Sequence, residues 1–367
     1  MKTVHLYIFG IGNVGSTLVE QVLAASPFFK EKHQLDLRIV GVVNSKKVLC
    51  NASGISKNWK TDFANFSTPR QPDSFYNFAL LHDEVRIAVD ATASKELSTF
   101  YPELAQKGFH IVTANKIANT LSQHFYDDLR QELRVNNLSF EYETNVGAGL
   151  PIVATVKDLT NSGEQIAVIN GVFSGSLGYI FNRFSEEEET PISTIIKDAL
   201  NQGYTEPDPR EDLSGNDVAR KLLVLARETG LKLEFEDITI ENLVSPELQT
   251  ADLNDFLNNL SNLDASFDKL KQSLSEDEVL RHLGSLNTQT KQLTVSLQKV
   301  KKDSPAGQLS GSDGFFEIYS SSYQTHPLVI KGAGAGREVT ARGLLSDIIK
   351  VANNAWVLNP NSEFCEN

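Results

Sequence analysis

The chain has 367 residues, too many for one compact core, so two or three lobes are expected. With 40% hydrophobic and 22% charged residues it is ordinary globular protein, which excludes wholesale disorder. Its net charge of −13 repels phosphate backbones and anionic lipid, so neither nucleic acid nor a membrane surface is an expected partner. A small anionic cofactor is still compatible, because helix N-termini act locally.

In chain order, residues 4–9 (VHLYIF) are an apolar strand running into GIGNVGSTLVEQVLAAS, a glycine turn that opens a helix. A second strand follows at 35–45 (LDLRIVGVVNS) and a third at 85–94 (VRIAVDATAS). A helical KELSTFYPELAQKG leads to a fourth at 109–116 (FHIVTANK). Alternating strands and helices imply a Rossmann-type doubly wound parallel sheet. Residues 138–151 begin as a strand and end in glycine-rich backbone.

Past Pro151 the pattern changes. Residues 167–184 read as a strand, a glycine–serine turn and a helix, and 192–203 and 217–229 have helical periodicity. The polar, leucine-spaced 244–283 reads as helical, whereas 290–300 and 314–321 alternate like antiparallel strands. The end, HPLVIKGAGAGREVTARGLLSDIIKVANNAWVL, is a strand, a glycine turn and a closing helix. The fold class is α/β, with a mixed α+β lobe after the nucleotide domain.

Gly10-x-Gly12-x-x-Gly15 has the strand–turn–helix setting of a dinucleotide fingerprint. Gly10 makes the turn, Gly12 admits the pyrophosphate and Gly15 lets helix and strand pack; a ligand-free glycine turn is the plain alternative. At the end of the second strand, where NAD binders carry an acid, stand Asn44 and Ser45 with Lys46 and Lys47 behind them, which favours NADP(H) and leaves NAD(H) possible. Lys116 follows the fourth strand at a carboxyl end, where such sheets bind ligands.

The stretch GYTEPDPREDLSGNDVARK (203–221) holds five carboxylates. Ser214 and Asp217 have capping-box spacing, and Asp217 and Lys221 share a helix face. An i,i+4 surface ion pair is the ordinary reading of two such residues. Pro207 and Pro209 stiffen the loop, however, and a lysine held among acids can donate a proton to a reducible carbonyl. Spare acids at Glu206 and Asp212 suit a substrate bearing an ammonium group.

Taken together, GIGNVG, TANK, TNVGAGLP, SGSLGYIF, GYTEPDPREDLSGNDVARK and GAGAGREVTARG resemble homoserine dehydrogenase, nearest to the dehydrogenase half of bifunctional aspartokinase–homoserine dehydrogenases. The resemblance implies reversible NAD(P)H-dependent reduction of L-aspartate 4-semialdehyde to L-homoserine, in threonine, methionine and isoleucine synthesis. It implies Lys221 as proton donor beside Asp217, Glu206 and Asp212 on the substrate, and Lys116 on substrate and cofactor. Ile11, Gly12, Asn13, Val14 and Gly15, with Gly10, Thr92 and Gly336, would line the dinucleotide. A monovalent cation, Na+ or K+, would take Glu143, Val146, Ala148 and Leu150.

It further implies residues 1–142 completed by 335–367 as the dinucleotide domain, 143–334 as the catalytic and dimerisation domain, and a homodimer through the sheet around 290–330. The expected layout has no kinase ahead of the first strand and no regulatory domain after a closing helix ending near Leu358, which weakens the expectation of threonine feedback inhibition without excluding it. Two cysteines, Cys50 and Cys365, form no metal or disulfide pattern and point to a reducing cytoplasm. Competing readings are a dehydrogenase acting directly on aspartate, which leaves Glu206 and Asp212 unexplained, and a cofactor-binding regulatory protein, in which Lys116 and Lys221 would be dispensable.

Overall fold

The computed structural model describes residues 1–70 and 85–357. The chain divides into two compact units, Met1–Asn145 with the segment from Gly336, and Val146–Ala335.

The first unit is built on a seven-stranded sheet. Its strands are β1 (Lys2–Phe9), β2 (Leu35–Val43), β3 (Lys47–Cys50), β4 (Thr68–Pro69), β5 (Val85–Asp90), β6 (Phe109–Thr113) and β7 (Phe140–Glu141), in the order β4-β3-β2-β1-β5-β6-β7. The β2-β1-β5-β6-β7 run is parallel, while β3 and β4 add antiparallel pairs at one edge. Period-two alternation sends Val4, Leu6 and Ile8 into one core and Tyr7 and Phe9 into the other, so β1 is buried on both faces from Val4 to Phe9. The first core takes Leu18, Val19 and Val22 from helix Asn13–His33 and Leu344, Leu345, Ile348 and Val351 from helix Arg337–Val357. The closing helix therefore packs on the nucleotide unit's own sheet. The second core takes Tyr101 and Leu104 from helix Tyr101–Gln106, and Leu129 and Leu133 from helix Gln123–Val135.

The second unit has a six-stranded mixed sheet of β8 (Ile166–Val172), β9 (Ile238–Ile240), β10 (Glu278–Asn287), β11 (Gln292–Lys301), β12 (Asp313–Ser320) and β13 (Leu328–Ala333), ordered β13-β12-β8-β10-β11-β9. Helices Gly175–Glu186 and Asn216–Glu228 pack against it. On another side Val172, Leu283 and Phe315 meet Ala306 and Leu309 of the β11–β12 connection. The buried Arg281 guanidinium holds that connection by donating to the carbonyls of Ala306 at 3.1 Å and Gly307 at 2.8 Å.

Residues 244–283 depart from the expected single helical run. They form helices Pro246–Gln249, Leu253–Asn258 and Asp264–Gln272 with a 3-10 turn at Leu260–Leu263, and then the start of β10. Pro246 and the Asp252 carboxylate, which caps the Asp255 N–H at 2.9 Å, each restart the chain. From Glu278 onward, pairing with β11 over the whole strand overrides local helical spacing.

Candidate active site

In the first unit the glycine turn is built as its residue types require. Gly10 has φ +88°, and a side chain there would strike Ala91 and Thr92. A Cβ on Gly15 would overlap the Gly10 carbonyl, whereas one on Gly12 would meet nothing. Gly12 is thus open space at the start of helix Asn13–His33, which has no side-chain cap and no acid in its first turn. Its free N–H groups and positive dipole end are left for an anion.

Ile11, Gly12 and Asn13 line a cavity of about 960 Å3 together with Lys60, Arg337 and Arg342 and with two acids, Glu20 at 2.6 Å from Lys60 and Glu338 at 2.7 Å from Arg337. The three cations were not singled out by the sequence; Lys60 belongs to helix Trp59–Phe66, which carries no motif. Val14 packs towards the first core. Gly336, with φ +117°, forms the turn ahead of Arg337. Asn44 stands in a tight β2–β3 turn and accepts from the Lys46 and Lys47 backbone N–H groups at 2.8 and 2.7 Å, which leaves both lysine side chains exposed.

Thr92 and Lys116 follow the carboxyl ends of β5 and β6. Buried hydrogen bonds brace both turns: the Thr92 N–H donates to Asp90 at 2.8 Å, and the Asn115 amide donates to Asp90 at 3.1 Å and to the Ser94 carbonyl at 3.0 Å. Further along, Glu143 donates its backbone N–H to Asp347 at 2.9 Å, and Lys350 lies 3.0 Å from Asp347 and 3.7 Å from the Glu143 carboxylate. Of the residues named for a cation, Glu143 belongs to the first unit and Val146, Ala148 and Leu150 to the second. Gly147 and Ala148 are consecutive left-handed residues in that second-unit turn, at φ +73° and +56°.

In the second unit the acidic stretch resolves into separate roles. Asp208 caps helix Pro209–Leu213 and holds Arg210 in an ion pair at 2.7 Å, while Glu211 is exposed. The expected Ser214–Asp217 capping box does not form. Helix Asn216–Glu228 follows so closely that the turn needs Gly215 at φ +72°, and Ser214 donates to the Glu211 carbonyl at 2.8 Å. Asp217 is thereby left for Lys221, at 2.8 Å.

The Lys221 ammonium also donates to the Phe173 carbonyl at 2.9 Å, and its side chain is only 16% exposed. An ordinary surface pair would be far more open. Phe173 reaches this place because β10 carries Gly284 beneath its ring, where a Cβ would collide. Sequence reading missed Phe173, whose only local signal is the glycine-rich run after it.

The Glu206 backbone N–H donates to the Asp212 carboxylate at 2.8 Å. Burial pushes the Asp212 carboxyl above its usual range, and the charges of Asp217 and Glu211 push the same way, against hydrogen bonds from Glu206 and Ser176. Like charges crowded in a half-buried place favour an added cation. Asp212 and Asp217 thus act on each other beside Lys221, while Glu206 meets Asp212 through its backbone N–H and leaves its side chain exposed.

Among the described residues no cluster of three or more His, Cys, Asp or Glu side chains is set for a metal, and no helix is long and apolar enough to cross a membrane. Burial raises the Cys50 thiol to about 11, which makes it a poor nucleophile; Cys365 and Leu358 lie outside the described residues.

A family model described as homoserine dehydrogenase matches residues 151–349, and one described as homoserine dehydrogenase, NAD binding domain, matches residues 10–143. A bifunctional aspartokinase/homoserine dehydrogenase of Buchnera aphidicola is 39% identical over 95% of this chain and 43% of its own. The chain spans about two fifths of the length of the curated relatives it matches, 43% and 39% for two of them. A crystal structure of a Candida auris protein of unknown function superimposes with TM-score 0.89 at 33% identity, covering 96% of this chain and 99% of that one. A hyperthermophilic archaeal homoserine dehydrogenase mutant in complex with NADPH shares the fold, with TM-score 0.73 at 22% identity over 96% and 98% of the two chains.

Proposed function

The chain belongs to the homoserine dehydrogenase family, and on that premise we propose that it interconverts L-aspartate 4-semialdehyde and L-homoserine with NADP(H) as the favoured cofactor. The observation that carries this reading is the half-buried Lys221 ammonium, held by Asp217 and the Phe173 carbonyl on the unit that also carries Asp212 and, bonded to it through its backbone, Glu206. When bound, the cofactor supplies the hydride. Lys221 donates the proton that the developing alkoxide oxygen needs, and Asp217 and Phe173 hold that ammonium in one orientation. Glu206 and Asp212 take the substrate ammonium, which relieves the crowding of negative charge around Asp212.

The cofactor fits the first unit because Gly12 leaves room above an uncapped helix N-terminus and the adjoining cavity carries Lys60, Arg337 and Arg342. Thr92 and Lys116, at the carboxyl ends of β5 and β6, hold its nicotinamide end. NADP(H) is favoured over NAD(H) because the β2–β3 turn offers Lys46 and Lys47 and no carboxylate. Arg70 adds a third cation to that turn through its backbone bond to Lys46, and a structural neighbour was solved with NADPH.

A monovalent cation would use the carbonyls of the Val146–Leu150 turn, with Glu143 as the carboxylate that precedes it in the chain. A homodimer in solution is supported by the sheet of the second unit, where Asn170, Glu317 and Tyr319 are half-buried and Val329 is 41% exposed. A reducing cytoplasmic location agrees with the two unpatterned cysteines.

The test is nicotinamide reduction followed by absorbance with L-homoserine, using NADP and NAD in parallel and L-aspartate as the competing substrate. The reading expects turnover of homoserine, faster with NADP. Turnover of aspartate instead, or of neither amino acid, would sink it.

A further inference from the structure

Asp90 is the last residue of β5, at the edge where open parallel sheets receive ligands, and it is 2% exposed. Every group that reaches its carboxylate is a donor: the Tyr101 hydroxyl at 2.7 Å, the Asn115 amide at 3.1 Å and the Thr92 N–H at 2.8 Å. Among the described residues none of its partners carries a charge. Tyr101 is itself buried and shares its hydroxyl with Thr113 at 2.8 Å, and Thr113 accepts the Asn115 N–H at 2.8 Å. Two turns, one carrying Thr92 and the other Asn115 and Lys116, thus hang on one carboxylate.

Burial pushes the Asp90 carboxyl above its usual range, and the three converging donors work against that by favouring its ionised form. A buried anion with no cationic partner is a poor stability device, because desolvation is not offset by an opposite charge. A neutral acceptor of similar shape would brace the turns with less penalty. The charge therefore answers to something that binds. Oxidised nicotinamide carries a positive ring and the reduced form a neutral one.

We propose that Asp90 is a positioning residue for the nicotinamide end of the cofactor, and that its buried negative charge favours the oxidised ring over the reduced ring. This rests on the dehydrogenase reading above. It assigns to Asp90 a share in setting the equilibrium between the bound cofactor forms, separate from the proton transfer at Lys221.

The experiment is calorimetric titration of wild-type protein and Asp90→Asn with NADP+ and with NADPH. The amide is expected to weaken NADP+ binding about tenfold more than NADPH binding, the order of effect that one charge exerts across several ångström of protein. Tyr101→Phe removes a donor but keeps the charge, so the ratio of the two affinities should stay near wild type. If Asp90→Asn does not fold, Asp90→Ser, which leaves space for water to serve the stranded donors, gives the same readout. Wild-type protein that binds neither form would overturn the dehydrogenase reading and this inference together. Binding of both forms with an unchanged ratio in the Asp90 variants, or with Tyr101→Phe shifting the ratio as much as Asp90→Asn, would overturn this inference alone.

Discussion

The two units solve opposite electrostatic problems within one acidic chain. The first faces an anion, and it does so with backbone N–H groups at an uncapped helix, glycines that clear the way, and basic side chains lining the cavity. Asp90, a buried carboxylate at its ligand edge, is surrounded by neutral donors. The second crowds the Asp212 and Asp217 carboxylates beside the restrained Lys221 ammonium, a place that on the proposed reading receives a cation. The comparison teaches that a net charge of −13 describes solubility and long-range partners while ligand chemistry is set within a few ångström.

If the units divide the labour this way, damage to one should leave the other's job intact. The largest expected effect is at Lys221. Lys221→Ala should lower kcat roughly 100- to 10,000-fold, the usual range for a general acid, with NADPH affinity nearly unchanged. Steady-state kinetics with parallel cofactor titration checks this, and an equal loss of cofactor affinity would break the division of roles.

The mirror experiment is at the glycine turn. Gly15→Ala forces a Cβ onto the Gly10 carbonyl and should destabilise the first unit by about 3 kcal/mol while abolishing cofactor binding. Gly12→Ala meets no protein atom, so it should weaken cofactor binding with little change in thermal stability. Denaturation curves alongside cofactor titration separate the two, and equal destabilisation by both would mean that Gly12 is structural.

Acid should find the second unit through His282. Its imidazole is 2% exposed, with no hydrogen-bond partner for either nitrogen among the described residues, near Gly215 at the start of the Lys221 helix, and burial lowers its pKa to about 4. The unfolded chain takes up this proton near pH 6.5 while the folded chain refuses it until about pH 4. Stability is therefore lost as pH falls through that window, by roughly 3 kcal/mol. His282→Leu lacks this dependence and should gain on wild type as pH falls from 7 to about 4, read as the difference between their melting temperatures.

The smallest effect is expected at Glu164, half-buried and bonded to Ser320, Ser321 and Ser322, which lower its carboxyl to about 2. Glu164→Gln should melt slightly below wild type at neutral pH. The gap should close as pH falls from about 4.5 to about 2, where the wild-type carboxyl is protonated in both states.

Legibility differed between the same two regions. Strands β1, β2, β5 and β6 were readable because strands buried on both faces carry apolar residues on both, which makes dense apolar runs. The long β10 was not, since Glu278–Asn287 becomes a strand only through its pairing with β8 and β11. The glycine fingerprint was readable because its turn, helix start and packing are all local. The Ser214–Asp217 capping box was misread because the preceding helix ends on Ser214, which local spacing does not reveal.

By itself the sequence determined the residue types that the chemistry needs: three glycines after an apolar strand, a lysine four positions after an aspartate, and acids in a proline-stiffened loop. Those are short-range regularities, governed by backbone sterics and helical pitch. Tertiary structure alone decided that Phe173 lends its carbonyl to Lys221 over Gly284, that Lys60, Arg337 and Arg342 share one cavity, and that Asp90 is buried among neutral donors. Each of these joins residues far apart in the chain, and packing sets such distances rather than any local preference.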